Sequence, residues 1–118
     1  MDDYPWFQPV KVTAFTIGHT ANTSRVRIAN VDTHRIAIVI GESTDGTEPT
    51  NLHVAPTSAI TTGTGTLGWL LKKGNPPLQF EQAFYGNLVQ DEWWCVNTDG
   101  VNDGFVSVAE ILLRDWPQ

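Results

Sequence analysis

Twenty residues, Ser24 to Ser43, constrain the fold most strongly, because two alternating runs flank a short turn sequence. In the first run Val26 and Ile28 alternate with arginines, and in the second run isoleucines recur at every other position from Ile36 to Ile40. A period of two with β-branched residues on one side is typical of strands with one face in a core. The sequence NVDT between the runs favours a turn. The stretch therefore predicts an antiparallel β-hairpin and an all-β fold.

The rest of the chain continues this pattern. Val10 to Ile17 has apolar residues on both faces, which predicts a central or sandwiched strand. Glu92–Asn97 and Gly104–Leu113, joined by a loop rich in Gly and Asp, predict a second hairpin. Leu78–Leu88 fits both helical and extended periods, and we favour extended structure there. The total of seven or eight short strands, with at most one helical turn, predicts a single-domain antiparallel β-sandwich or jelly-roll-like barrel.

The chain divides into a short arm and one domain. With 118 residues it can bury roughly two-thirds of its unfolded surface in one core, which we assign to residues 10–118. Residues 1–9, MDDYPWFQP, carry three aromatic side chains and two prolines, and proline disfavours helix and central strand alike. The arm either folds back on its own core or docks on a neighbouring subunit, and the sequence leaves both open.

Charge and composition exclude several partners. The formal net charge of −6 argues against nucleic acid, whose phosphates would be repelled. We expect no membrane partner, because no apolar run approaches the about 20 residues of a spanning helix, and no signal peptide is recognisable. A single cysteine cannot form an internal disulfide. Cys95 lies between Trp94 and Val96, which predicts a buried, inert thiol.

No catalytic pattern is recognisable, and we expect a protein that is not an enzyme and has no cofactor or metal. His19, His34 and His53 lack zinc-ligand spacing, and the chain has no GxSxG nucleophile motif. Carboxylates that could in principle form a glycosidase pair are scattered, as surface acids usually are: Asp45, Glu48, Glu81, Asp91, Glu92 and Glu110.

One segment partly matches a calcium-binding loop. Asp99, Asp103, Gly104 and Glu110 occupy positions 1, 5, 6 and 12 of that template. Position 3 is Val101, which offers no side-chain oxygen, and a β-patterned run follows where the motif needs a helix. The sequence therefore predicts no calcium site there.

Five tryptophans are the remaining unusual feature: Trp6, Trp69, Trp93, Trp94 and Trp116. Adjacent residues of a strand point to opposite faces, so at most one of Trp93 and Trp94 faces a single core. Aromatic side chains near the two ends of the chain favour protein contacts, and we predict that they bind a partner: Tyr4, Trp6, Phe7 and Trp116. Tryptophans can also stack on sugar rings, and the candidates for such a platform are Trp69, Trp93 and Trp94.

Three segments resemble small structural proteins of tailed-bacteriophage virions, in particular capsid decoration or cement proteins. ANTSRVRIANVDTHRIAIVIGES is similar to their early region of an arm followed by paired strands. LLKKGNPPLQFE is similar to the short strand and turn that follow, and EWWCVNTDGVNDGFVSVAEILL to their closing hairpin. Together the segments cover about half of the chain, and none is a catalytic or ligand motif.

This resemblance implies a β-rich domain, frequently trimeric, that binds an icosahedral shell and reinforces it. The implied partner is the major capsid protein or another virion protein, and the implied location is the capsid surface after synthesis in the host bacterial cytoplasm. Two alternatives remain: another virion component of the tail, neck or fibre base, and a carbohydrate-binding β-sandwich module.

Overall fold

The computed structural model describes residues 10–20, 24–42, 52–60, 68–71, 76–99 and 101–113. Within these ranges the chain forms eight strands: β1 (Val10–Ile17), β2 (Arg25–Ala29), β3 (Arg35–Glu42), β4 (Leu52–Ala55), β5 (Trp69–Leu71), β6 (Leu78–Glu81), β7 (Trp93–Asn97) and β8 (Gly104–Leu112). Between β6 and β7 lie a single helical turn, α1 (Gln82–Tyr85), and a 3-10 helix (Gly86–Gln90). None of the described helices is long or apolar enough to cross a membrane.

The strands form two antiparallel four-stranded sheets packed as a sandwich. Sheet A has the order β1-β8-β3-β6 and sheet B has the order β2-β7-β4-β5. The predicted all-β sandwich is therefore confirmed. The predicted arm, residues 1–9, lies outside the described residues.

Strand pairing joins the two halves of the chain in reverse order. β1 pairs with β8, β2 with β7, β3 with β6, and β4 with β5. Two further pairings, β3 with β8 and β4 with β7, complete the sheets. All of these contacts are antiparallel, and most connect strands that are distant in sequence.

Both predicted hairpins are wrong, although their strands are present. β2 lies in sheet B and β3 in sheet A, so the turn at Asn30–Thr33 carries the chain from one sheet to the other. The same holds for β7 and β8 across the loop that follows Asn97. Turn-forming residues favour a reversal of the chain, but they do not specify whether the strands pair or pack face to face.

Two further expectations are corrected. β1 is an edge strand of sheet A, not a central one, although its apolar residues do lie on both faces. Leu78–Leu88 is extended only as far as Glu81 and is helical from Gln82, so the extended prediction holds for its first four residues alone.

The core lies between the two sheets and is formed by every second side chain of their strands. The inward residues of β3 and β8 include the fully buried Ile38, Ile40, Val106 and Val108. Sheet B contributes Val54, Trp93 and Cys95 to the same cluster. Because successive residues of a strand point to opposite faces, the residues between these positions lie on the outer sides of the sandwich.

Candidate docking surface

On the side of sheet A that faces away from sheet B, most outward residues of three neighbouring strands are apolar, and Thr16 and Ser107 are the polar ones. The register places two rows on it, Val12 with Ala109 and Val39, and Val10 with Ile111 and Ala37. We call this side the outer face; it also carries Ala14 and Phe105. Among the described strand residues on the outer face, the one charged side chain belongs to Glu81 on β6.

The outer face exposes apolar side chains to solvent, which is unusual for the solvent side of a sheet. Val12 is 71% exposed, Val10 58% and Phe105 39%, while Val39 and Ile111 are half-buried between their strand neighbours. Antiparallel sheets normally place polar residues on their solvent side. A contiguous apolar surface on a folded domain marks an interaction site or an aggregation liability.

The opposite side of the sandwich is covered by its own chain. Ile60 and Ala55 pack with Val96 and Trp94 on the outer side of sheet B. Arg25 lies over the Trp94 ring, with 5.0 Å between the guanidinium carbon and the ring centroid, and donates a hydrogen bond of 2.9 Å to the carbonyl of Ser58. The two sides therefore differ, and the outer face of sheet A is the one without such a cover from the described chain.

The two edges of the sandwich differ as well. At the β5–β6 edge, Trp69 packs edge-on against Phe80 with ring centroids 4.7 Å apart, and Tyr85 lies 5.1 Å from Phe80. The Trp93 ring lies 4.8 Å from the same Phe80 ring. These aromatic side chains fill the space between the sheets and close that edge.

The β1–β2 edge is open by comparison. A cleft of about 230 Å³ lies between these strands, with Phe15 and Ile28 on its walls. Glu110 lies in the cleft, 4% exposed, and Lys11 Nζ is 4.0 Å from its Oε2. Arg27 also lines the cleft and pairs with Glu92 at 3.2 Å. The two cationic side chains that line the cleft, Lys11 and Arg27, thus each lie close to a carboxylate.

No protein-family model, curated protein or solved structure matches the chain.

The partner-binding residues predicted from the sequence lie outside the described residues: Tyr4, Trp6, Phe7 and Trp116. Of the three candidates for sugar stacking, Trp93 is fully buried, so its assignment to a platform is wrong; it is the core-facing member of the Trp93–Trp94 pair. Trp69 is half-buried among core aromatic rings, whereas Trp94 lies on the outer side of sheet B beneath Arg25. The structure does not bring the three indoles onto one face.

Sequence reasoning missed the outer face, although its signal was present. Val10, Val12 and Ala14 make the second face of β1 apolar, a pattern that by itself predicts a central or sandwiched strand. The same alternation recurs at Val39 and Ile111, whose strands lie beside β1 only because of long-range pairing.

Burial shifts the pKa of two described side chains of sheet B, Cys95 in the core and His53 on its outer side. Burial, and to a lesser extent the charge of Glu42, raises the pKa of the Cys95 thiol well above its usual value, so the predicted inert cysteine is confirmed as buried and protonated. Burial lowers the pKa of His53. Within the described ranges, no three His, Cys, Asp or Glu side chains converge where they could hold a metal ion.

The outer face is mainly apolar on β1, β8 and β3, and its polar side chains are Thr16 and Ser107, with Gln79 and Glu81 on β6, where the Gln79 amide donates a hydrogen bond to Glu81. Such a surface suits contact with another protein, since its binding free energy would come from removing apolar area from water.

Proposed function

We propose that this protein is a non-enzymatic structural protein of a bacteriophage virion, a decoration or cement protein that binds the head shell through the outer face of sheet A. The observation that carries the proposal is the apolar outer face, which exposes Val10, Val12 and Phe105, has one charged side chain among its described strand residues and has no cover from the described chain. A protein whose role is to bury surface against a shell needs such a face.

The order of the strands supports this role. The two halves of the chain pair in reverse order, β1 to β4 against β8 to β5, and wrap into two sheets. We interpret this as a jelly roll, the eight-stranded double-sheet architecture found in viral capsid and lectin domains and in cupins. Fold alone does not establish function, so the order of the strands is supporting rather than deciding.

Charge and multivalency are consistent with a position on the shell. The net charge of −6 disfavours the DNA-filled interior and leaves the outer side of the head. Shell proteins present many identical sites, so a self-associating protein with modest affinity per contact gains strongly from multivalency. In this proposal the terminal aromatic residues add contacts to the major capsid protein or to sister subunits. The resemblance by itself favours a trimer, whereas the edge strand β1 favours the two-fold pairing inferred below.

Locating the protein on particles is the first test. An antibody against the purified chain, applied to purified particles of the phage that encodes it, should label the head surface in electron micrographs. Labelling of the tail, neck or fibre base would replace the decoration role with another virion role. Unlabelled particles would overturn the virion assignment altogether.

The second test concerns the outer face. Val39 lies on β3 between Ala109 and Gln79, so Val39→Lys places a charge within the apolar rows. The affinity of this variant for purified heads, measured by cosedimentation, should fall at least about tenfold, because an ammonium group buried at the centre of an interface is costly to desolvate. Val101→Lys is the matched control, since Val101 is 76% exposed in the loop before β8. Equal head binding by the two variants would exclude the outer face as the docking site.

A further inference from the structure

The four outermost strands of the sandwich differ in how well they are protected from pairing with another chain. β5 has three residues and β6 has four, with Pro76 and Pro77 directly before β6. β2 has five residues and a register shift between Arg27 and Ala29. Shortness, proline, bulges and charged side chains, lysine in particular, are among the devices by which proteins block edge-to-edge association.

β1 is neither short nor bulged, although Pro9 directly precedes it in the sequence as Pro76 and Pro77 precede β6. It runs for eight residues, Val10–Ile17, and keeps an unbroken register with β8 along its whole length. Its outward side chains are all uncharged: Val10, Val12, Ala14 and Thr16. Its one charged side chain, Lys11, is on the inner side and 64% exposed, and such a lysine is itself a guard against pairing. Its Nζ lies 4.0 Å from Oε2 of Glu110, so the charge is partly neutralised within the chain.

The apolar surface is also concentrated at this edge. Val12 and Val10 are the most exposed large apolar residues of the outer face, and both lie on the outermost strand. A side chain on an edge strand has a neighbour on one side only, so a further strand beside β1 would bury what is now exposed.

We infer that β1 pairs with β1 of a second copy of this chain, antiparallel and about a two-fold axis, so that two A sheets form one eight-stranded sheet. The two outer faces then become one continuous apolar surface. A two-fold interface requires self-complementary pairing, and an antiparallel pair of identical strands satisfies this. This pairing is separate from head binding, which uses the rest of the outer face.

The one charged side chain of β1, Lys11, restricts how two β1 strands can be aligned with each other. We call the pairing centred on a residue when the two-fold axis passes through that residue. Centring on Lys11 would place the two lysine ammonium groups opposite each other, and like charges in that position are unfavourable. Centring on Val12 sets Lys11 against Thr13 of the second copy, and centring on Thr13 sets it against Phe15. On the outer face, centring on Val12 sets Val12 against Val12 and Val10 against Ala14, whereas centring on Thr13 sets Val12 against Ala14 and Val10 against Thr16. The two acidic molecules repel at long range, so association should strengthen as salt is raised towards 0.15 M.

Mass in solution is the primary test. At 0.15 M salt, sedimentation equilibrium should give about twice the 13.0 kDa of one chain, with dissociation on dilution. A single-chain mass at all concentrations up to about 1 mM would overturn the inference. A three-chain mass would also overturn it, yet would leave the decoration role intact.

Three variants identify the surface used. Val12→Asp should give a single-chain mass at concentrations where the unsubstituted protein is paired, because it places carboxylates in the new strand pair. Val101→Asp should leave the mass unchanged. Val39→Lys, on the outer face but away from the edge, should also leave it unchanged while impairing head binding. If Val39→Lys abolishes the pairing and Val12→Asp does not, the copies associate face to face and β1 pairing is wrong.

Hydrogen exchange gives a direct readout of the strand itself. In an antiparallel edge strand, alternate amides bond to the inner neighbour and the others face outward. The outward amides of β1 should be protected at high protein concentration and lose protection on dilution, whereas the β8-bonded amides should change little. Exchange of the outward amides that is independent of concentration would contradict the pairing. Circular dichroism of each variant confirms that the β-fold is retained.

Discussion

Arg35 holds several parts of the molecule together from a fully buried position. Its Nε donates a 2.9 Å hydrogen bond to Glu110, and its Nη2 lies 2.6 Å from the same carboxylate. Nη1 donates to the carbonyls of Val89 and Asp91, and Nη2 also donates to the carbonyl of Asn30. One side chain thus ties β3 to β8, to the 3-10 helix and to the end of β2.

This position could not be found from the sequence. Alternation assigns Arg35 to the same face as Ala37 and Val39, which lie on the outer side. A register shift between Arg35 and Ala37 adds one residue to β3 and returns Arg35 to the inner side. Bulges of this kind depend on the partner strand, so a single-strand pattern does not predict them.

The buried pair should matter far more than its exposed counterpart. Arg35→Met leaves the Glu110 carboxylate buried without its guanidinium and should lower the free energy of unfolding by about 3–5 kcal/mol. Arg27→Met, which breaks the exposed pair with Glu92, should lower it by about 1 kcal/mol or less. Urea unfolding of both variants measures the difference. Equal losses would mean that Glu110 finds water or another partner.

At the scale of the elements, the sequence predicted the strands but not their partners. Period-two alternation with β-branched residues identified β1, β3 and β8, because that pattern depends only on which face meets the core. Which strands pair depends on long-range contacts. The sequences of the turns at Asn30–Thr33 and after Asn97 favour a chain reversal, but they do not show whether the reversal closes a hairpin or links the two sheets. The docking surface was missed for the same reason, since its rows exist only once β1, β8 and β3 are side by side.

The ends of β1 and β8 are also linked by a pair of polar side chains. His19, just after β1, has its Nδ1 2.6 Å from Asp103 Oδ1, and its backbone N–H donates 3.0 Å to the same oxygen. These hydrogen bonds lower the pKa of Asp103. The loop before β8 is thereby held against the strand that β8 pairs with.

This link predicts a pH dependence. A carboxyl group whose pKa is lower in the folded state adds stability above its unfolded pKa, about 3.9, and that stability is lost as pH falls through the folded pKa. Asp103→Asn should therefore be less stable than the unsubstituted protein at pH 7, and the difference should shrink as the pH falls below about 4. Urea midpoints for both proteins from pH 7 to pH 2 measure this. A difference that stays constant over that range would show that the Asp103 charge does not contribute.

At the scale of the whole molecule, every strand pairing joins one half of the chain to the other. β1, β2, β3 and β4 pair only with β5, β6, β7 and β8 in the described residues, and no two strands of the same half pair. The core is shared in the same way, since Ile38 and Ile40 from the first half pack with Val106 and Val108 from the second. Neither half contains a native sheet of its own.

Cutting the chain between β4 and β5, within residues 61–67, should therefore give two fragments that are unfolded alone. Each fragment lacks every pairing and half of the core, and an isolated strand without a partner is not stable in water. Mixed in equal amounts, the fragments should recover the β-sheet circular dichroism of the intact chain, because all native contacts become available again at the cost of association entropy. Residual sheet structure in either fragment alone would indicate local pairing, such as the hairpin that Ser24–Ser43 suggests, and would show that the chain can form sheets its native fold does not use.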